Sequence, residues 1–195
     1  MENIARNAQK TVIQRIVLIV IPFILLITAL VISFKSCERN HRLGFVPKAL
    51  KVSKIVYVQE ESQGIGPGGN ESGVIVYELP EDVAEQIKKS GITFFSDSLA
   101  SKQGNDDRAG EYEKWEETPL LSESAWREAG EGRTTAAPQI ENYLNRYGFG
   151  VSVEPDVAKE INLIVSKGGA YFARGRVGII IVSPETKRVI YTYSG

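Results

Sequence analysis

Between Ile16 and Phe34 the chain reads IVLIVIPFILLITALVISF, a run with no charged residue, interrupted only by Pro22, Thr28 and Ser33. As a helix rising about 1.5 Å per residue it would extend about 28 Å, close to the thickness of a bilayer's hydrocarbon core. It is apolar on every face, so it lacks the one-sided stripe of a surface helix. It is too long for the apolar region of a cleaved signal peptide, and Phe34-Lys35-Ser36 is a poor small-residue exit site. Lys35, two residues before Cys37, argues against a lipoprotein signal. The expectation is a single uncleaved transmembrane helix over 16–34, a signal anchor. A short basic tail over 1–15 precedes it and a juxtamembrane neck over 35–51 follows. Pro22 removes one backbone hydrogen bond and is expected to kink the helix mildly.

The flanking charges nearly balance, with Arg6, Lys10 and Arg15 before the run and Lys35, Arg39, Arg42 and Lys48 after it. Long domains translocate largely regardless of such charges, and a short basic tail before an apolar helix is the usual layout of a signal anchor. The placement expected from this is a cell-membrane protein with its tail inside. Its large domain would lie outside the cytoplasm, in the periplasm if the source is bacterial; a cytoplasmic domain is the alternative. Cys37 is the only cysteine, so the domain has no disulfide framework and no cysteine-based metal site. The sum of 23 Lys and Arg against 24 Asp and Glu leaves a net charge of −1, which sets up no field for nucleic acid. The partners expected are the lipid bilayer and a protein.

Residues 52–195 are long enough for one domain with its own core. Val52–Gln59 is rich in β-branched residues and reads as a strand. Gly64–Ser72 is a glycine-rich loop, and Gly73–Leu79 a second strand. Pro80 introduces a helix with acids in its first turn, lysines in its last and Gly91 at its end, with Val83, Ala84 and Ile87 towards the core. Ile92–Phe95 reads as a short strand. The stretch 96–133 is rich in Ser, Gly, Glu and Asp and reads as a long mobile insertion. It carries Trp115, Leu120, Leu121 and Trp126, which would either dock it onto the domain or meet a partner.

Beyond Pro138, Ile140, Tyr143, Leu144 and Tyr147 repeat at helical spacing. Phe149–Val153 resembles a short strand. Pro155 opens a helix with Val157, Ile161, Ile164 and Val165 as its apolar stripe, closed by Gly168-Gly169. RVGIIIV, a turn over Ser183–Lys187, and RVIYTYS read as a hairpin whose isoleucine run is covered on both faces. Asp82-Val83-Ala84 and Asp156-Val157-Ala158 echo one another, each after a proline and before an aromatic pair, as a duplicated unit would, and as two unrelated amphipathic helices with the same capping chemistry would equally. The fold class expected is α+β: one amino-terminal transmembrane helix, then one mixed, mainly antiparallel domain with a long flexible excursion.

Gly64, Gly66 and Gly69 formally match G-x-G-x-x-G, but the motif needs a helix to follow, and here a strand follows. A hairpin loop explains the glycines better. The loop, with Gly64, Gly66, Gly68 and Gly69 and the flanking Asn70 and Glu71, is nonetheless the first candidate binding surface. Glu60 and Glu61 add acids, without the regular ligand spacing of a calcium loop. Asn70-Glu71-Ser72 is a glycosylation sequon. Arg174 and Arg176 would alternate along one strand and offer two guanidinium groups to a carboxylate or phosphate, or pair with nearby acids. His41 is the only histidine, and no G-x-S-x-G motif or zinc ligand set is present. No catalytic residue, metal or cofactor is assigned. The function expected is that of a membrane-anchored binding or accessory protein. It would present the glycine loop and the Trp115–Trp126 excursion to a protein or envelope partner. The alternatives are an envelope enzyme using carboxylates near Gly64–Gly69 and an inhibitor or immunity-type protein.

Overall fold

The computed structural model describes residues 2–63, 70–100, 112–120, 126 and 137–195. The chain divides into two compact units, Met1–Arg42 and Leu43–Gly195.

The first unit belongs to one helix, α1 (Glu2–Leu43), continuous through position 22. Thr28 donates its hydroxyl to the Ile24 carbonyl one turn back at 2.8 Å, which satisfies a polar group on an apolar helix. Arg42 pairs with Glu38 at 2.8 Å across the last turn. The transmembrane expectation is corrected here: among the described residues no helix is long and apolar enough to cross a membrane. The side chains of residues 2–19 and 22 lie outside those described. The signal-anchor reading and the single-pass, extracytoplasmic placement derived from it are withdrawn with the span.

The second unit is built on an antiparallel six-stranded sheet in the order β1-β2-β6-β5-β4-β3. Its strands are β1 (Ile55–Gln63), β2 (Asn70–Glu78), β3 (Glu116–Glu117), β4 (Tyr171–Arg174), β5 (Gly178–Ser183) and β6 (Arg188–Ser194). The β5–β6 hairpin lies at the centre and every residue of β5 is buried. Successive side chains alternate between faces, so each central strand feeds two cores. Val74, Val76, Ile179, Ile181 and Ile190 join one, together with α4 (Ile140–Leu144) and α5 (Pro155–Ser166). Ile75, Tyr77, Ile180, Val182, Val189 and Tyr191 join the other, with α2 (Glu81–Ser90) and α3 (Thr93–Ala100). The domain is thus three layers, with helices on both faces of the sheet.

Local chemistry explains the helices. In α2, Glu81 and Asp82 sit in the first turn and Lys88 and Lys89 in the last, which complements the helix dipole. Gly91 ends α2 with φ 60° and donates its N–H to Ile87 at 2.7 Å. In α5, Pro155 occupies the first turn, where its missing N–H is harmless.

Three sequence expectations are corrected in this unit. Ile92–Phe95 is not a strand, because Thr93 starts α3. The Thr93 hydroxyl donates to Ser90 at 2.6 Å, and Phe95 stacks on Trp115 with ring centroids 4.0 Å apart. Phe149–Val153 keeps a strand's alternation, with Phe149, Val151 and Val153 buried, but joins no sheet. The Asn145 side chain takes the place of a neighbouring strand: it donates to the Val151 carbonyl at 2.9 Å and accepts from the Val151 N–H at 2.6 Å. The helix at Ile140 stops at Leu144, which leaves Tyr147 exposed under the Arg146 guanidinium. The echoed helices α2 and α5 pack on opposite faces, and their aromatic pairs differ: Phe94-Phe95 is helical, Tyr171-Phe172 is strand.

Within 96–133, the described residues 112–120 and 126 lie against the domain, while 101–111, 121–125 and 127–136 lie outside the described residues. Glu113 donates its N–H to Arg174, Thr118 to Ala170 and Leu120 to Val165. Trp115 and Trp126 are 8% and 0% exposed, in different cores. Trp126 stacks on Tyr143 at 5.0 Å. Replacing Trp126 with Ala should therefore cost about 3–5 kcal/mol of stability, read as a lower urea midpoint with an unchanged slope. A loss below about 1 kcal/mol would show that Trp126 is not a core residue.

Candidate functional site

The candidate residues at the first hairpin can be placed by register. Glu60 stands opposite Gly73, Glu61 opposite Ser72, Ser62 opposite Glu71 and Gln63 opposite Asn70. The pleat therefore divides the acids. Glu60 and Glu71 share the face of Tyr191 and Tyr193, whereas Glu61 lies on the other face, with Gln59. An enzyme pair of Glu60 with Glu61 would have to act through the sheet. Gly64, Gly66, Gly68 and Gly69 lie outside the described residues. Asn70 and Glu71 are exposed; Glu71 exchanges both backbone hydrogen bonds with Gly195, at 2.9 and 3.0 Å. The sequon's Ser72 is fully buried and donates its hydroxyl to Leu144 at 2.7 Å.

Glu60 and Tyr193 are brought together by a glycine. Tyr193, on β6, donates its phenol to Glu60 Oε1, on β1, at 2.8 Å. The strand between them carries Gly73 at this level; a Cβ there would fall 2.8 Å from Glu60 Cγ and 3.0 Å from Tyr193 Oη. On the other flank Tyr193 pairs with Gly178, where a Cβ would meet the Thr192 carbonyl. Phe45 stacks on Tyr191 with centroids 4.8 Å apart and lies 6.4 Å from Tyr193. The Tyr112 phenol donates to the Phe45 carbonyl at 2.5 Å. Burial pushes the Tyr193 phenol well above the usual tyrosine range, and the Glu60 hydrogen bond and the Glu60 and Glu71 charges add to it. Burial raises Tyr112 as well, and pushes Tyr191 up to about 12. These are groups that keep their protons, so the cluster is a donor-bearing aromatic wall rather than a set of bases.

The arginines separate. Arg174 lies on β4, pairs with Glu116 at 2.8 Å and covers the Phe172 ring at 5.4 Å. Arg176 lies beyond the end of β4, in the turn to β5, so the expected strand alternation fails: Gly175, packed against the Tyr112 ring, follows the strand. Trp115 and Trp126 are buried, as above. Among the described residues, no group of three or more His, Cys, Asp or Glu side chains could hold a metal ion.

A second surface was not anticipated. An open groove of about 550 Å³ runs along the outer side of α5, lined by Gln139, Glu141, Pro155, Ala158, Lys159, Asn162, Leu163 and Ser166. The α5 residues among these recur every three or four positions, a stripe beside the core stripe. Leu163, 52% exposed, is its apolar contact. Asn162 holds the entry to α4: its Oδ1 accepts the Ile140 N–H at 2.8 Å and its Nδ2 donates to Gln139 Oε1 at 2.6 Å. This fixes the Gln139 amide with its NH2 still able to donate, while Glu141 and Lys159 add opposite charges. The signal was readable: Asn162, Leu163 and Ser166 are spaced as one helix stripe, with Leu163 outside the core pattern.

No known protein family, curated protein or solved structure matches this chain.

The tyrosine cluster has a measurable consequence. The folded phenols hold their protons at pH values where the unfolded ones, near 10, have lost them. The stabilisation is thus complete below about pH 10 and is lost as pH rises towards the folded values. The urea midpoint should stay level up to about pH 9 and fall between about pH 10 and 12, together with tyrosinate absorbance. A Tyr193→Phe variant should show a shallower fall. A flat midpoint through that range would mean that these phenols are accessible in the folded protein.

Proposed function

We propose that this is a protein-binding or accessory protein, and that it holds a short peptide segment of its partner in the groove along α5. One observation carries the reading: a fixed amide pair, Gln139 with Asn162, set beside an exposed leucine in a groove of about 550 Å³. A peptide brings main-chain carbonyls and one or two apolar side chains. The Gln139 NH2 suits the first, the Ser166 hydroxyl, which donates to the Asn162 carbonyl, keeps its lone pairs for a main-chain N–H, and Leu163 with Ala158 and Pro155 suits the second. The volume lies within the range of specific ligand sites, about 300–1,000 Å³. Openness along the helix favours an elongated ligand over an enclosed small molecule. A peptide-binding groove serves an accessory protein and an inhibitor alike.

The test is selection from a random peptide library displayed on phage, followed by fluorescence anisotropy with the enriched peptides. Leu163→Asp should weaken those peptides about tenfold or more, equivalent to about 1.4 kcal/mol. Val177→Asp, an exposed change in the β4–β5 turn, should leave them unaffected. Failure to enrich any peptide, or equal binding to the Leu163 variant, would overturn the groove as the binding surface.

A further inference from the structure

The sheet ends in strands of very different length. β3 is two residues long, while β1 runs for nine and, among the described residues, has no strand on its outer side. A long outer strand presents a row of backbone donors and acceptors to any extended chain. Its side chains narrow the choice of occupant. Lys54, immediately before the strand, lies at one end and is 67% exposed at its side chain, where it pairs with Glu78 at 2.5 Å. Glu61, exposed, lies at the other end, and Val56, 41% exposed, and Val58 lie between. The Lys54 ammonium has three donors, so it can keep Glu78 and still meet a second carboxylate; a strand with this lysine at one end and Glu61 at the other is complementary to itself run in the opposite direction.

We infer that β1 is a self-association edge, which pairs antiparallel with β1 of a second copy about a two-fold axis at Val58. The bulge between Ile55 and Tyr57 matters to the register. Lys54 is level with Glu78, and Glu61 with Ser72, positions that share a face with Val74 and Val76. With the bulge retained, a pairing centred on Val58 sets Val58 opposite its own copy and Tyr57 opposite Gln59. It then sets Ile55 opposite Glu60 and Lys54 opposite Glu61. Opposed residues lie on one face in each case, as antiparallel pairing requires. The two-fold repeats the Lys54–Glu61 contact, so one charge complement is used twice and the interface closes at a dimer. The result is one sheet continuous across both copies. This inference is independent of the groove, which lies on the outer side of α5.

Sedimentation velocity of the full chain tests it through charge exchange. The wild type should show a concentration-dependent dimer. Lys54→Glu alone and Glu61→Lys alone should each raise the dissociation constant about tenfold or more, because each makes both contacts repulsive, while circular dichroism stays unchanged. An equimolar mixture of the two single variants should associate again, because both contacts between unlike copies are then of opposite sign. The double variant K54E/E61K should dimerise like the wild type. A strictly monomeric wild type overturns the inference. So does association that ignores all these changes, as association through α1 would, and so does failure of the mixed variants to pair.

Discussion

Burying both faces of the β5–β6 hairpin is the constraint from which the rest of the domain follows. Ile179 and Ile181 enter one core and Ile180 and Val182 the other. Each face then needs a cover, which α2 and α3 give on one side and α4 and α5 on the other. Such a strand pair has a weakness, because a slip of one residue exchanges the faces and both are apolar. Hydrophobicity alone does not resist that slip. The far end of the sheet does: Ser72, Thr192 and Ser194 are buried with their hydroxyls bonded, while Gly73 and Gly178 make room beside Tyr193. A slipped register would bring a hydroxyl row against the aromatic wall and a tyrosine against α4.

What was legible in the sequence depends on whether the signal was local. The β5–β6 hairpin, α2 and α5 each carry their own periodicity and end signals, and each forms within a residue or two of its expected place. Phe94-Phe95 and Phe149–Val153 have strand-like composition, but distant partners decide their state. Phe95 of the first pair stacks on Trp115 from within a helix, and the Asn145 amide substitutes for the strand that the second segment lacks. The candidate site was less legible still. Pairing splits Glu60 from Glu61 and unites Glu60 with Tyr193, 133 positions away. The groove rests on Asn162 reaching the start of α4, a contact that helix periodicity does not contain. Hydropathy misled differently: it scored 16–34 as a membrane span, but among the described residues no helix is long and apolar enough for one.

The insertion between α3 and α4 shows how a polar, glycine-rich stretch can still be essential to a core. Its described part passes around the β4 edge of the sheet. Trp115 enters the core beneath α3, Glu116 and Glu117 pair with β4, and Leu120 and Trp126 enter the core beneath α5. The chain crosses from one face to the other in this passage, which is why β3 can be only two residues long. The crossing also covers that edge, since Glu113, Thr118 and Leu120 bond to Arg174, Ala170 and Val165 along the way. Unpaired edges invite foreign strands, and proteins shorten or cover the ones they do not use. Here one edge strand is shortened to two residues, while the other keeps nine residues, a charge at each end and valines between. The different treatment of the two edges gives β1 its claim to be a surface in use.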